Sequence, residues 1–249
     1  MLYRDETLIA IHKPAGLLVH RTVLDRHETR FAVQLLRDQI GQYVYPVHRL
    51  DRGTSGVLLF TTDREVGKAL SAQFEAQAVD KTYLAVVRGH PPACGTIDHT
   101  LTRQFDPYEF RSPTASSLAQ NALTSYRRLA VTELPHRVDR YPSSRYALLE
   151  LKPQTGRRHQ LRRHLKHIAH PIIGDATYGK GQHNRLFQQL YGCQRLLLAS
   201  LDLSLPHPLS GLPLRFCAPL AEDFWSVLEA LDWCDAVAPI TTRGNYGEL

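Results

Sequence analysis

The chain has 249 residues, of which 43% are hydrophobic and 22% charged, a composition typical of a folded globular protein and not of a disordered, collagen-like or coiled-coil one. It carries 30 Lys and Arg against 24 Asp and Glu, and the resulting formal charge of +6 is common in proteins that bind nucleic acid. No apolar stretch is long enough for a membrane span, and Asp5 and Glu6 stand where a signal peptide would be basic or apolar, so we expect a cytoplasmic protein without a membrane segment.

In the first half of the chain, short apolar runs alternate with segments whose apolar residues recur at helical spacing. The runs predict strands, which cover residues 8–11, 57–61 and 81–87. The helical spacing predicts one helix over 30–40, which Gly41 ends, and another that Asp63 can cap. A polar loop over 47–56 precedes the second strand, and we expect Tyr83 on the third strand to lie near this loop.

The second half continues the mixture of strands and helices. The segment 98–121 lacks periodicity and is predicted to be a surface insertion. Apolar runs predict strands, which cover residues 122–131, 145–151, 196–205 and 214–218. A last helix is predicted over 221–231. Strands joined by short turns, with a few helices between them, indicate an α+β fold, which we assign to a single domain over residues 1–249.

Positive charge is concentrated in one segment. Residues 152–170 hold six Lys and Arg, four His and no acidic residue, so the rest of the chain is balanced in charge. The segment is predicted to form a helix with a buried apolar stripe, which consists of Leu161, Leu165 and Ile168. Its outer face is expected to carry Arg158, Arg162 and Lys166. An acid-free run of this kind favours contact with RNA phosphates over a merely solvated helix face.

The sequence offers no metal or nucleotide site. HExxH, CxxC and phosphate-loop patterns are absent, and the histidines of residues 152–170 lie among cations that would repel a metal ion. We therefore expect no metal and no cofactor. The widely spaced cysteines are predicted to be reduced thiols and are Cys94, Cys193, Cys217 and Cys234.

One carboxylate stands in unusual surroundings. Asp51 has Arg49 and Arg52 beside it and Gly53 and Gly56 just downstream. Neighbouring cations keep a carboxylate ionised, and glycines let a ligand backbone approach it. Such an aspartate can act as a nucleophile or base, or it can close a turn through a structural salt bridge, and the residues alone leave these two interpretations evenly balanced.

The surroundings of Asp51 also carry a family resemblance. Residues 48–56 read His-Arg-Leu-Asp-Arg-Gly-Thr-Ser-Gly and resemble the HRLDxxTSG motif of the RluA family of pseudouridine synthases. The match extends over roughly residues 3–218, because further blocks fall in the family's order. These blocks are Lys13–Leu17, Lys81–Gly89 and Thr155–His164.

The resemblance implies the pseudouridine-synthase catalytic fold, a mixed and largely antiparallel sheet with a central cleft flanked by helices and loops. It implies conversion of uridine to pseudouridine in RNA, without a cofactor, on a base flipped out of its stack. Asp51 would be the nucleophile, Tyr83 would stack on the target base, Arg157 would pair with the aspartate, and Arg49 would fill the space that the base leaves. The other predicted RNA contacts are Lys13, Arg52, Arg158, Arg162, Arg163 and Lys166.

Without the resemblance, these residues would be interpreted structurally. Tyr83 would be a core tyrosine of a strand, Arg49 a salt-bridge partner and Arg157 a phosphate contact. The sequence departs from the family pattern at Ala199, where a histidine is common, so a role for that histidine does not carry over.

Softer similarities concern the substrate. Three stretches resemble the branch of the family that modifies uridine 65 of tRNA, and these are Leu18–Arg21, Leu36–Gly41 and Arg140–Pro142. The lack of an N-terminal S4-like domain agrees with this branch. We therefore expect a monomer that acts on tRNA and has no protein partner. Two alternatives stay open, namely the same reaction on ribosomal RNA and a noncatalytic RNA-binding or chaperone protein. A glycosidase-type hydrolase normally needs a second carboxylate near the first, and none stands out.

Overall fold

The computed structural model describes residues 1–21, 28–104 and 118–241, in which strands and helices are interspersed. The strands are β1 (Tyr3–Arg4), β2 (Leu8–Lys13), β3 (Tyr45–Pro46), β4 (Ser55–Thr61), β5 (Asp80–Arg88), β6 (Cys94–Asp98), β7 (Leu101–Thr102), β8 (Ala119–Gln120), β9 (Leu123–Leu134), β10 (Ser144–Pro153), β11 (Leu198–Pro206) and β12 (Pro213–Cys217). The helices are α1 (Ala32–Ile40), α2 (Arg64–Glu75), α3 (Gln160–His167), α4 (Gly181–Tyr191), α5 (Glu222–Ala230) and α6 (Cys234–Thr241).

One large mixed sheet organises the fold. Its strand order is β1-β2-β4-β11-β5-β10-β9-β6, with β3 added to β4 and β12 added to β11, while β7 and β8 form a separate pair. Among the described strands, β4 and β11 run parallel and the remaining pairs are antiparallel. The predicted α+β class, with a mixed and largely antiparallel sheet, is confirmed.

The parallel pairing of β4 with β11 depends on Gly56. This glycine has φ +117°, and a Cβ atom added to it would lie 1.9 Å from the carbonyl oxygen of Ser200. The two backbones therefore approach each other at a distance that only glycine permits. The loop that carries Asp51 enters the sheet at this point, so close packing of the two strands fixes where the loop ends.

Helices cover both faces of the sheet. On one face, α4, α5 and α6 pack against β5, β10 and β11 around Tyr146, Phe187 and Phe224. On the opposite face, α3 packs against the same strands through Leu161 and Leu165. Helices α1 and α2 cover the two sides of β2 and β4. The apolar stripe predicted for the basic segment therefore anchors α3 to the sheet.

The predicted ends of the first two helices are confirmed. Gly41 follows α1 in the left-handed conformation, with φ 69°, and its N–H donates to the carbonyl oxygen of Arg37. The carboxylate of Asp63 accepts hydrogen bonds from the backbone N–H groups of Glu65 and Val66, at 2.7 and 3.2 Å, and so caps α2.

Helices α4 and α6 were not predicted from the sequence, because both lack the usual signals. Lys180, before α4, makes no capping hydrogen bond with its side chain, and α6 contains Pro239. Packing of Phe187 and Val237 into the core stabilises them instead. None of the helices in the described ranges is both long and apolar enough to cross a membrane.

The predicted surface insertion over 98–121 lies only partly within the described residues, because 105–117 fall outside them. Its described ends form the β7–β8 pair. Leu101 and Ala122 are buried, so these ends pack onto the rest of the domain.

Candidate active site

Most of the predicted site residues lie together in one cleft of about 240 Å³. The loop before β4, the middle of the sheet, the start of α3 and the β7–β8 pair form its walls. Of the predicted residues, those that line it are Arg49, Asp51, Tyr83, Arg157, Arg158, Arg162 and Arg163. The cleft also contains Arg103, Gln104 and Gln120, which come from the described ends of the predicted insertion. Its charged lining is therefore dominated by arginine.

Asp51 is the carboxylate of this cleft, with 18% of its side chain exposed. Its Oδ2 accepts a hydrogen bond from Nη1 of Arg162 at 3.0 Å. Its loop is closed by the N–H of Thr54, which donates to the carbonyl oxygen of Asp51 at 3.0 Å. A fixed loop and an arginine partner hold the carboxylate in one orientation with one oxygen directed away from the arginine.

Arg162, and not Arg157 as the sequence predicted, pairs with the aspartate. The guanidinium of Arg157 is exposed and donates from Nε to the carbonyl oxygen of Asn121, because the residue lies on the turn before α3. Arg162 lies on the inner side of α3 with 11% of its side chain exposed. The prediction that Arg162 belongs to the outer face of the helix is therefore wrong.

Asp175 holds the other side of the Arg162 guanidinium. It accepts hydrogen bonds from Nε and Nη2 of Arg162 at 2.7 and 2.9 Å and from the backbone N–H groups of Thr177 and Tyr178 at 2.9 Å each. Burial works against the charged forms, yet these contacts hold the pKa of Asp175 below its ordinary value and that of Arg162 above it. Arg162 thus bridges two carboxylates, Asp51 and Asp175.

Sequence reasoning missed Asp175. A signal was present, because Asp175 is the first acidic residue after the acid-free segment 152–170 and follows the apolar pair Ile172 and Ile173. An aspartate placed close to a buried run and to six cations is expected to pair with one of them.

His159 and Tyr178 were also missed and lie beside Asp51. The Nε2 atom of His159 lies 3.7 Å from Oδ1 of Asp51. The Nδ1 atom of His159 is hydrogen-bonded to the hydroxyl of Tyr178 at 3.0 Å, and Nε2 of Gln104 donates to the same hydroxyl at 2.9 Å. A chain of polar groups therefore leads from the β7–β8 pair to the free oxygen of Asp51.

Tyr83 lies in the cleft with Asp51, as the sequence predicted. Burial raises the pKa of Tyr83 to about 12, and the negative charge of Asp51 acts in the same direction. The side chain is therefore a neutral phenol at physiological pH, with an aromatic ring in the wall of the cleft.

Lys13 is not available for phosphate contact, contrary to the prediction. The residue is fully buried, and its Nζ donates to the carbonyl oxygens of Pro14, Leu17 and Arg52, at 2.9, 2.7 and 3.2 Å. Burial lowers the pKa of Lys13 to about 7, although the charge of Asp51 acts in the opposite direction. Lys13 therefore tethers the loop of Asp51 to the N-terminal turn.

The remaining predicted contacts are spread around the cleft. Arg52 is exposed, pairs with Glu28, and faces a second cavity on the other side of Asp51 and Arg162. Lys166 is exposed, with its ammonium 5.7 Å from the ring centre of Tyr178. Arg158 and Arg163 line the cleft itself.

Ala199, which stands where the family often has a histidine, is buried in the core with α4, α5 and α6. Its neighbour Leu198 lines the cleft from the opposite face of β11. Side chains alternate between faces along a strand, so position 199 does not face the cleft.

Within the part of the chain that the structure describes, no three His, Cys, Asp or Glu side chains are arranged to hold a metal ion. The cleft itself presents the carboxylate of Asp51, the guanidinium of Arg162, the phenol of Tyr83 and the cations around them.

Comparison with known proteins identifies similar chains. The family model described as RNA pseudouridylate synthase matches residues 7–167. The chain is 49% identical over 233 residues to tRNA pseudouridine synthase C of Pectobacterium carotovorum subsp. carotovorum, covering 94% of this chain and 62% of that protein. It is 48% identical over 233 residues to tRNA pseudouridine synthase C of Pasteurella multocida (strain Pm70), covering 94% of this chain and 96% of that protein. The solved structure of human RNA Pseudouridylate Synthase Domain Containing 4 superposes with a TM-score of 0.66 at 26% identity, covering 93% of this chain and 92% of the other.

Proposed function

Because this chain belongs to the RNA pseudouridylate synthase family, we propose that it converts uridine 65 of tRNA to pseudouridine, with Asp51 as the nucleophilic carboxylate and without a cofactor. The match to the family confirms the resemblance seen in residues 48–56. The observation that carries the proposal for the site is the hydrogen bond between Asp51 and Arg162 in a cleft that also contains Tyr83.

The reaction is an isomerisation of one nucleotide. The N1–C1′ bond of uridine breaks, the uracil turns, a C5–C1′ bond forms, and the proton on C5 is lost while N1 gains one. Nothing is oxidised or reduced, so no redox cofactor is required. Attack on C1′, attack on C6 and formation of a glycal all require an ionised carboxylate beside the nucleotide, and the pairing of Asp51 with Arg162 supports this role.

The target uridine must leave its stack, at a cost of a few kcal/mol. The ring of Tyr83 offers a stacking surface for a flipped base, and aromatic stacking suits any base. Arg49 is exposed at the rim of the cleft, where it fills the space that the base leaves in the RNA. Arg157, Arg158 and Arg163 contact phosphates, which positions the RNA without reading its sequence.

The choice of tRNA as substrate rests on the relatives. Proteins 48% and 49% identical to this chain are named tRNA pseudouridine synthase C, although the chain spans only 62% of the length of one of them. Uridine 65 rests on the three softer stretches of the sequence. We further propose that the protein acts as a cytoplasmic monomer.

The test is tritium release from tRNA transcripts labelled at C5 of uracil, with the modified position mapped. Wild-type protein should release tritium and modify uridine 65, whereas Asp51→Asn should release none. Glu65→Gln is the matched control, because Glu65 is an exposed carboxylate that pairs with Lys68 on α2. It should release tritium at the wild-type rate.

Three outcomes would contradict parts of the proposal. Release from ribosomal RNA and not from tRNA would keep the chemistry and refute the substrate. If the wild-type protein binds RNA but releases tritium from neither tRNA nor ribosomal RNA, the result would favour the noncatalytic alternative. Free uracil among the products would indicate a hydrolase.

A further inference from the structure

The polar chain that leads to the free oxygen of Asp51 has no part in the function proposed so far. We infer that His159 and Tyr178 are positioning residues for Asp51, in which the Tyr178 hydroxyl orients His159 so that its Nε2–H faces Oδ1 of the aspartate. The inference rests on the proposed role of Asp51, and neither residue needs to touch the RNA for it to hold.

The hydrogen bonds of the Tyr178 hydroxyl decide which nitrogen of His159 carries the proton. Nε2 of Gln104 donates to the Tyr178 hydroxyl at 2.9 Å, so the hydroxyl oxygen already accepts one hydrogen bond. The hydroxyl proton can go to Nδ1 of His159 at 3.0 Å or to Oε1 of Gln104 at 3.4 Å, and the nearer acceptor is His159. A neutral imidazole that accepts at Nδ1 carries its proton at Nε2, which is the atom facing Asp51.

The surroundings of His159 decide whether its imidazole is charged. Burial lowers the pKa of His159, and the cations Arg162 and Arg158 lower it further, whereas the carboxylates of Asp51 and Asp175 raise it; the net direction is downward. His159 is therefore a neutral N–H donor and not a second cation beside Arg162. This leaves the negative charge of Asp51 available for attack.

The backbone of His159 has an unusual conformation. His159 immediately precedes α3 with φ 54°, in the left-handed region that non-glycine residues seldom occupy, and its side chain makes no capping hydrogen bond. A side chain that does not cap the helix is free to serve another contact. Strain of this kind is held in place by surrounding structure and is concentrated at functional sites.

The N–H group of His159 restrains the carboxylate of Asp51. Arg162 holds Oδ2 of Asp51, and a donor at Oδ1 stops the carboxylate from turning about its Cβ–Cγ bond. The 3.7 Å separation is longer than a hydrogen bond, and contacts of this kind tighten when the substrate is bound. When the carboxylate leaves the nucleotide, the same N–H stabilises the charge that returns to it.

Tyr178→Phe tests the inference, because it removes only the hydroxyl. The ring stays in place, 5.6 Å from that of His159 and 5.0 Å from the guanidinium of Arg162 between centres. The single-turnover rate of tritium release should fall about tenfold, as expected when a hydrogen bond that supports an ionised group is lost, while the Kd for tRNA stays unchanged. Tyr43→Phe is the matched control, a tyrosine with 73% of its surface exposed and outside the cleft, and it should react at the wild-type rate.

Variants of His159 separate positioning from packing. His159→Gln keeps an N–H donor of similar reach and should retain more of the rate than His159→Leu. The double variant Tyr178→Phe/His159→Leu should be no slower than His159→Leu alone, because the hydroxyl acts through the imidazole.

The outcomes are distinguishable from those of the proposed function. Release by wild-type protein with an equal rate for Tyr178→Phe would overturn the inference alone. A weaker Kd with an unchanged rate would overturn it too, because Tyr178 would then be an RNA contact. Absence of release from both tRNA and ribosomal RNA by the wild type would overturn the proposed function and the inference together.

Discussion

Replacing Asp175 with asparagine should destabilise the protein far more than the loss of a surface ion pair. The side chain of Asp175 has no exposed surface, and its two oxygens accept hydrogen bonds from Arg162 and from two backbone N–H groups. Asparagine offers one oxygen in place of two, and its NH₂ group would face a donor of Arg162 or of the backbone. The buried guanidinium would then lose most of its neutralising partner.

The magnitude follows from these contacts. Removing one partner of a buried ion pair costs about 3–5 kcal/mol. Arg162 keeps its hydrogen bond to Asp51 in this variant, so we expect the lower end, about 3 kcal/mol. For a chain of this length each kcal/mol lowers Tm by about 2–4 °C, which gives a shift of roughly 6–12 °C.

Urea unfolding followed by the fluorescence of Trp225 and Trp233 measures the effect. Asp223→Asn is the matched control, since Asp223 pairs with Arg195 but has 55% of its side chain exposed. Its loss should cost no more than about 1 kcal/mol. If the two variants unfold at the same urea concentration, the bridge of Arg162 between two carboxylates contributes no net stability and the reasoning is refuted.

Two further predictions concern pH and backbone packing. His48 is half-buried, its Nε2 accepts from the N–H of Leu59 at 3.0 Å, and desolvation lowers its pKa to about 3. The unfolded chain therefore binds a proton below pH 6.5 that the folded chain does not, so stability is lost as the pH falls. The free energy of unfolding of the wild type relative to His48→Gln should drop by about 2 kcal/mol between pH 7.5 and pH 5, and parallel curves would contradict this. Gly56→Ala should abolish the native circular dichroism spectrum, because the new Cβ would meet Ser200. Gly211→Ala places its new Cβ in open space at φ +72°, so this variant should fold and lose only about 1–2 kcal/mol of stability. A native spectrum for both variants would refute the close approach of β4 and β11.

The residues that could be predicted from the sequence share one property, namely a local signal. Asp63 caps α2 because its carboxylate stands just before an amphipathic run, and Gly41 ends α1 because it tolerates the left-handed conformation. Asp51 stood out through its immediate neighbours, and Tyr83 through the alternation of its strand. In each case the deciding interaction lies within a few residues of the chain.

The errors concern interactions between distant segments. Whether Arg157 or Arg162 reaches Asp51 depends on how α3 and the turn before it lie against the loop of Asp51, and a count of cations does not give that arrangement. Lys13 resembled a phosphate contact because lysine is rarely buried, and the three carbonyl oxygens that hold it become neighbours only when two turns meet. The chain from Gln104 through Tyr178 to His159 joins three separate segments, so no single stretch of sequence signals it.

The position of β11 has a consequence for how the protein is made. Strands β4 and β5 follow each other along the sequence, yet β11 lies between them in the sheet. Arg195, just before β11, donates a hydrogen bond to the side chain of Ser55, 140 residues earlier. During synthesis the N-terminal segments leave the ribosome first, and contacts of such long range must wait for the later ones. Asp51 and Tyr83 can therefore be brought to their final separation only after Leu198–Pro206 has emerged, and unfinished chains that stop before this strand cannot assemble the cleft.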